Sequence, residues 1–192
     1  MCVASNKHLP GYQVMNGRVL WLTGLSGAGK STIAQSIQKE LIKFNITPLI
    51  LDGDLVRDAI NDPHWGFDQV SRLAGSFRYA KLAYLAANQG LTVIVPTISM
   101  FHEVHDWNRN NIQGYFEVYL RTKEQTRRNR DPKILYVNSR NGVEGDMVGI
   151  DHLMQAPLSP NLLIDNDAQR NTEEINELAA HITERFLYDT AK

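Results

Sequence analysis

The sequence predicts an α/β fold, a mostly parallel sheet of five strands with helices on both faces. Three observations carry that expectation. Short apolar runs alternate with longer stretches of helical periodicity along the chain. The first of those runs enters a glycine-rich turn that opens a helix. The composition is that of an ordinary globular protein, with 43% hydrophobic and 21% charged residues, 13 Gly and 7 Pro, which sets aside disordered, collagen-like and coiled-coil alternatives.

Val19-Leu20-Trp21-Leu22 is the first expected strand, and Ile33, Ala34, Ile37, Leu41 and Ile42 then recur at helical spacing. A second strand, Pro48 to Leu51, ends at Asp52. A helical stretch from about Val70 to Asn88 leads to a third strand, Leu91 to Val95, which ends near Pro96 and Ile98. Tyr115 to Leu120 is the fourth strand and Leu162 to Ile164 the fifth. Ile175, Leu178, Ala179, Ile182 and Phe186 form the apolar stripe of a closing helix, with Asn171 and Glu174 as its capping pair. The stretch from Glu124 to Pro157 breaks the alternation: it is rich in Arg, Asn, Asp and Gly, and it reads as a mobile lid. The expected organisation is an N-terminal arm, residues 1–16, followed by a single domain over 17–192 with the lid at about 124–157. In such a fold ligands bind beyond the carboxyl ends of the strands.

The chain has 192 residues, with 20 Lys plus Arg against 21 Asp plus Glu and a net charge of -1, so no overall field draws polyanions. A nucleic-acid polymer or a membrane surface is therefore not the expected partner. Cys2 is the one cysteine, so an intramolecular disulfide and a cysteine-built zinc site are excluded, and a reducing cytoplasm fits best. Residues 1–13 lack the apolar core of a signal peptide, and no segment reaches the roughly 18 apolar residues of a membrane span.

Gly24-Leu25-Ser26-Gly27-Ala28-Gly29-Lys30-Ser31 satisfies G-x-x-x-x-G-K-[ST] in full, between an expected strand and an expected helix. Glycines let the backbone wrap tightly, so that successive amides and a helix N-terminus face phosphate oxygens. Lys30 adds a cation to the β- and γ-phosphates, and the Ser31 hydroxyl is suited to Mg²⁺. ATP is the natural occupant. No Asn-Lys-x-Asp segment is present to read a guanine base.

Asp52-Gly53-Asp54-Leu55-Val56-Arg57 follows the second strand and places two carboxylates and a guanidinium where the γ-phosphate should point. A carboxylate can orient an acceptor hydroxyl and take its proton, and an arginine can grip an anion bidentately. Taken alone, the same residues read equally well as caps of the next helix and a solvated arginine. Beside a phosphate loop, the functional reading gains.

With Gly66-Phe67, Arg72 and Arg78 added, the sequence resembles the adenylylsulfate kinases, which phosphorylate the 3′-hydroxyl of adenosine 5′-phosphosulfate. The resemblance runs from about Gly17 to Asp165. It is carried by the phosphate loop with Thr32, the Asp52-Gly53-Asp54 and Arg57 cluster, Gly66-Phe67 with Arg72, Ile98-Ser99, and Phe116-Glu117-Val118-Tyr119. Arg130-Asp131-Pro132-Lys133 with Leu135-Tyr136, Gly149-Ile150-Asp151 and Ala156-Pro157 continue it. The resemblance implies that Asp54 is the base, with Lys30 and Asp52 beside it in the catalytic set. Arg57 and Arg72 would grip the acceptor's anionic group, and Phe67 would form one face of an adenine sandwich. Gly75, Ile98, Ser99, Lys133, Leu135 and Met147 fall at further acceptor positions, and Arg130 falls with the ATP donor. A homodimer is one assembly the resemblance allows.

The departures from the family pattern cluster on the acceptor side. The family's usual Asn is Gly75, its Ile-Ser-Pro-Tyr-Arg is Ile98-Ser99-Met100-Phe101-His102, and its Phe-Thr before Gly-Ile-Asp is Met147-Val148. Ile134 replaces a Gly, and Val137-Asn138 a basic pair. Donor chemistry is kept while acceptor specificity is open. A relative acting on another nucleotide, as the cytidine diphosphoramidate kinases do, is the alternative acceptor reading. A regulator that binds nucleotide without transfer is the alternative class, and a sugar or antibiotic kinase on this scaffold is a third.

Within the expected lid, Arg130 and Lys133 read as functional, while Arg127 and Arg128 read as a solvated helix face. His102 and His105 could share a helix face with Glu103, but further metal ligands are lacking. Trp21, Trp65 and Trp107 read as packing residues, with Trp65 also placed to line the pocket entrance.

Overall fold

The computed structural model describes residues 17–66, 68–130 and 154–189. The arm 1–16, residues 131–153 of the expected lid, and the expected site residues Phe67, Lys133, Leu135 and Met147 lie outside the described residues.

Five strands, β1 (Arg18–Thr23), β2 (Leu49–Ile50), β3 (Thr92–Thr97), β4 (Tyr115–Arg121) and β5 (Leu162–Asp165), form one sheet in the order β2-β3-β1-β4-β5. All pairings are parallel, which requires each connection to cross over the sheet, here through helices. β1 is central: Leu22 registers with Pro96 of β3 and with Val118 of β4. β2 is shorter than the expected Pro48 to Leu51, because it is an edge strand that pairs only at Val93 and Ile94.

Among the described residues six helices cover the sheet: α1 (Lys30–Lys43), α2 (Gly53–Ile60), α3 (Gln69–Ala87), α4 (His102–Asn111), α5 (Glu124–Asn129) and α6 (Thr172–Asp189). The alternation within each strand decides which face they cover. Leu20 and Leu22 of β1, Ile94 of β3 and Phe116 and Val118 of β4 pack against Ile33, Ile37 and Leu41 of α1 and Ile182 and Phe186 of α6. Val19, Trp21, Val93, Val95 and Tyr115 take the opposite face, under Tyr79, Ala80 and Ala83 of α3 and Val104 of α4. Each fully buried Leu, Ile or Phe in these layers contributes about 1.5–3 kcal/mol of transfer free energy.

Local chemistry sets the helix ends. The Asp68 carboxylate accepts from the Ser71 amide at 3.0 Å to start α3. The Asn171 amide donates to the Glu174 carboxylate at 2.8 Å and the Glu174 amide to Asn171 Oδ1 at 3.0 Å, the expected capping box of α6. Asn61 closes α2 at φ 46°, a left-handed position that asparagine tolerates. Glu124–Asn129, at the start of the expected lid, is regular helix.

Candidate active site

A cavity of about 360 Å³ opens beyond the carboxyl ends of β1, β2 and β3, where the loops after those strands converge. One wall is the phosphate loop. Gly27 and Gly29 stand at φ 77° and 88°, a region where side chains are strained. Gly29 is also the N-cap of α1, a helix start with no side-chain cap hydrogen bond, and helix N-termini of this kind suit anions. Lys30 Nζ folds back over its own loop and donates to the Leu25 carbonyl at 2.9 Å. Ser26, Gly27, Gly29, Lys30, Ser31 and Thr32 line the cavity, while Ala28 is buried beneath them. Gly24 and Leu25 form the entry to the turn, where the Leu25 carbonyl also accepts from the Ala28 amide at 3.1 Å.

The second wall comes from β2 and α2. Asp52 uses both carboxylate oxygens: one accepts from the Asp54 amide at 3.1 Å and caps α2, and the other accepts from Ser31 Oγ at 2.9 Å. One side chain therefore both caps α2 and bonds the phosphate-loop serine. A hydroxyl and a carboxylate this close make an oxygen donor pair of the kind that suits a hard, octahedral cation. Asp54, one residue into α2, lines the cavity. Arg57, a turn further on, is no solvated arginine. It donates to the Trp65 carbonyl at 2.6 Å, and its guanidinium carbon lies 4.8 Å from the centre of the Trp65 ring.

The third wall is α3 with the loop after β3. Arg72 and Gly75 line the cavity, as do Ile98 and Ser99. The Thr23 hydroxyl donates to the Ile98 carbonyl, and the Thr97 and Ser99 hydroxyls are 2.9 Å apart. Ser99 adopts φ 29°. Its carbonyl accepts from His105 Nε2 at 3.0 Å, and since a carbonyl can only accept, Nε2 carries the proton. His105 is buried, and that burial pushes its pKa down to about 4. Its Nδ1 faces Glu117 Oε1 at 3.4 Å, while Arg109 reaches the other Glu117 oxygen at 2.7 Å. Burial pushes the Glu117 carboxyl up from its ordinary range. The two expected neighbours His102 and His105 thus serve different ends, since His102 Nε2 pairs with the Ala156 carbonyl at 2.9 Å.

A second cavity of about 170 Å³ shares Gly29 and Thr32 with the first and is closed by Arg130, Asn166, Ala168 and Arg170. Arg130 donates to the carbonyls of Asn166 and Ala168 at 2.8 and 2.6 Å. Asn166 Nδ2 crosses to the Ala28 carbonyl at 2.9 Å, and its Oδ1 accepts from Arg170 at 2.7 Å. The loop after β5 is thereby tied to the phosphate loop.

Several lining residues were not among those the sequence singled out: Ser76, Tyr79, Thr97, Met154 and, in the second cavity, Asn166. Ser76 and Tyr79 could have been found, because they continue the helical spacing of Arg72 and Gly75. The Tyr79 hydroxyl donates to the Gly53 carbonyl at 2.8 Å and so ties α3 to the start of α2. The solvated reading of Arg128 fits its pairing with Glu124 at 2.6 Å, but Arg127 is corrected: it is 4% exposed. Its Nε donates to the Thr122 carbonyl at 3.2 Å, and its backbone packs on Gly27, where a Cβ would come within 2.8 Å of the Arg127 carbonyl. Trp65 is a packing residue and a cavity wall at once.

The family model described as adenylylsulphate kinase matches residues 16–165. A cytidine diphosphoramidate kinase of Campylobacter jejuni is 38% identical over 164 residues, covering 85% of this chain and 94% of that protein. A probable adenylyl-sulfate kinase of Bacillus subtilis is 36% identical over 160 residues, covering 81% and 80%. Among solved structures, the Mycobacterium tuberculosis APS kinase CysC in complex with AMPPNP and APS superposes with a TM-score of 0.77 at 33% identity, over 90% of this chain and 98% of that one.

Proposed function

The chain belongs to the adenylylsulphate kinase family, and on that premise we propose that it transfers the γ-phosphoryl group of ATP to the ribose 3′-hydroxyl of a small anionic nucleotide. Adenosine 5′-phosphosulfate is the first acceptor reading. A cytidine diphosphoramidate is the second, favoured by the 38% identity to the Campylobacter jejuni enzyme and by the absence of a side chain at Gly75.

The observation that carries the proposal is the convergence of Lys30, Ser31, Asp52, Asp54, Arg57 and Arg72 on one cavity at the strand ends. The loop amides and Lys30 would hold the donor phosphates, and the second cavity, beside Arg130, would take the adenosine end. Ser31 and Asp52 fit Mg²⁺ by their oxygen chemistry; when bound, the ion would neutralise charge on the β- and γ-phosphates. Asp54 accepts the proton of the 3′-hydroxyl as that oxygen bonds to the γ-phosphorus. The bond from phosphorus to the bridging oxygen breaks, and ADP leaves with the electron pair. Arg57 and Arg72 hold the acceptor's anionic end, which fixes the hydroxyl in line with the donor.

A cytoplasmic setting and a homodimer complete the reading, the latter to be read by sedimentation. Among the described residues no helix is long and apolar enough to cross a membrane. The test of function is ADP release from Mg²⁺ and ATP with the purified chain, given each of the two acceptors, simple nucleotides, or none. Acceptor-dependent release with one of the two supports the proposal. Silence with both overturns it in favour of a nucleotide-binding regulator.

A further inference from the structure

Among the described residues, Asn45, Asn61 and Ser99 are the non-glycine positions in the left-handed region, the last at φ 29°. Asparagine tolerates that conformation, whereas serine holds it only where the surroundings impose it. Three contacts do so. The Thr23 hydroxyl on β1 donates to the Ile98 carbonyl, the Thr97 and Ser99 hydroxyls stand 2.9 Å apart, and His105 Nε2 on α4 donates to the Ser99 carbonyl at 3.0 Å. The turn held in this way is a wall of the larger cavity, to which Thr97, Ile98 and Ser99 all contribute. His105 is 4% exposed, and its other nitrogen, Nδ1, has no hydrogen-bond partner among the described residues, although Glu117 Oε1 is 3.4 Å away. A neutral imidazole has one proton to give. A histidine kept for the core alone would give it to that buried carboxylate. Here the proton goes to the Ser99 carbonyl, and Glu117 is served by Arg109 at 2.7 Å and by the Tyr115 hydroxyl at 3.2 Å.

We propose that His105 is a positioning residue for the acceptor: its Nε2–H holds the Ser99 carbonyl and so keeps the turn from Thr97 to Ser99 in the strained form that builds the acceptor wall. The inference rests on the function proposed above, which puts Ile98 and Ser99 on the acceptor side. His105 stands behind that wall and does not line the cavity, so it acts through Ser99. Without the bond, a serine relaxes toward negative φ and rotates the peptide units on either side of it. The wall then moves against the bound nucleotide, and a small misplacement of binding groups is magnified in the rate. The donor phosphates are held by the phosphate loop, so the effect is confined to the acceptor.

Two substitutions that differ in reach test this role. A glutamine amide extends to about the place of Nε2 and can still donate to Ser99, whereas an asparagine amide extends only to about that of Nδ1, and both keep a polar group in the same buried position. The measurement is kcat and KM for ATP and for each of adenosine 5′-phosphosulfate and cytidine diphosphoramidate in the wild type, His105→Gln and His105→Asn. With whichever acceptor the wild type uses, His105→Asn should raise the acceptor KM about ten-fold and leave the KM for ATP within about two-fold. His105→Gln should keep the acceptor KM within about three-fold of wild type. A loss shared equally by the two variants, or spread over both substrates, marks a general structural role and overturns the assignment, as does an unchanged acceptor KM in folded His105→Asn. If His105→Asn does not fold, ¹⁵N-histidine NMR of the wild type decides. Saturating acceptor should shift the His105 Nε2–H resonance and ADP alone should not; a resonance that the acceptor leaves in place, or that ADP moves equally, overturns the proposal. Wild-type silence toward both acceptors overturns the proposed function itself, and the acceptor role of His105 falls with it.

Discussion

Asn166 offers a quantitative test of how the phosphate loop is held. Its Nδ2 donates 2.9 Å to the Ala28 carbonyl, and Asn166 is 6% exposed. Asn166→Ala removes that neutral bond and strands a buried carbonyl, which costs about 1–3 kcal/mol. The lost partner of Arg170 adds little, because that cation reaches water. With a net loss of about 2 kcal/mol, and about 2–4 °C per kcal/mol for a chain of this size, the melting temperature should fall by about 4–8 °C. The loop should also loosen, raising the KM for ATP by about ten-fold, since small misplacements of binding groups have large kinetic effects. Asn166→Asp separates this account from one based on packing. It keeps the bulk and the Arg170 pairing, but it places an oxygen against the Ala28 carbonyl at the same short distance. It should therefore impair ATP use more than alanine does. Thermal melting and ATP saturation curves on the three proteins read both effects. An Asn166→Asp protein that melts and binds ATP as the wild type does, or one milder than Asn166→Ala, would falsify the reasoning.

Three further outcomes follow. Asp54→Asn should lower kcat by about 10²–10⁴-fold, the usual worth of a positioned general base, with ATP affinity within about two-fold; unchanged turnover removes Asp54 from that role. Ser31→Ala takes away the hydroxyl that bonds Asp52 and should raise the Mg²⁺ concentration for half-maximal rate by about ten-fold, so an unmoved Mg²⁺ titration would contradict the assignment. Burial holds His105 neutral down to about 4, so the unfolded chain takes up its proton through about 6.5 and the folded chain does not. The contribution is present above about 6.5 and lost as pH falls toward 4, by up to about 3 kcal/mol, while the raised Glu117 acts with the opposite sign. His105→Gln should show a flatter acid limb in urea melts between those pH values; the same slope as wild type would mean that His105 does not titrate this way.

What the sequence revealed and what it hid divide along one physical line. The phosphate loop was legible because its function is local: eight consecutive residues build the turn, the helix start and the cation. The strands and long helices were legible for the same reason, since period-2 and period-3.6 patterns act over a few residues. β2 shrank because only its neighbour decides how much of an apolar edge run pairs. Arg127 was misread because a run of charge on a short helix looks solvated until α5 is seated on Gly27, 100 residues earlier in the chain. Asn166 stands one residue past β5, where a parallel sheet places its ligands, yet its partner Ala28 is 138 positions away. Gly75 is the sharpest case. Taken singly, it is a hydrogen-bonding side chain lost from the acceptor wall. In the fold its missing Cβ is what admits the edge of the Trp65 indole, so a polar side chain on that wall is exchanged for a buried ring. An exchange of that kind has no signature in either residue alone, and this is why the acceptor side of the site, built from such pairs, was less legible than the donor side.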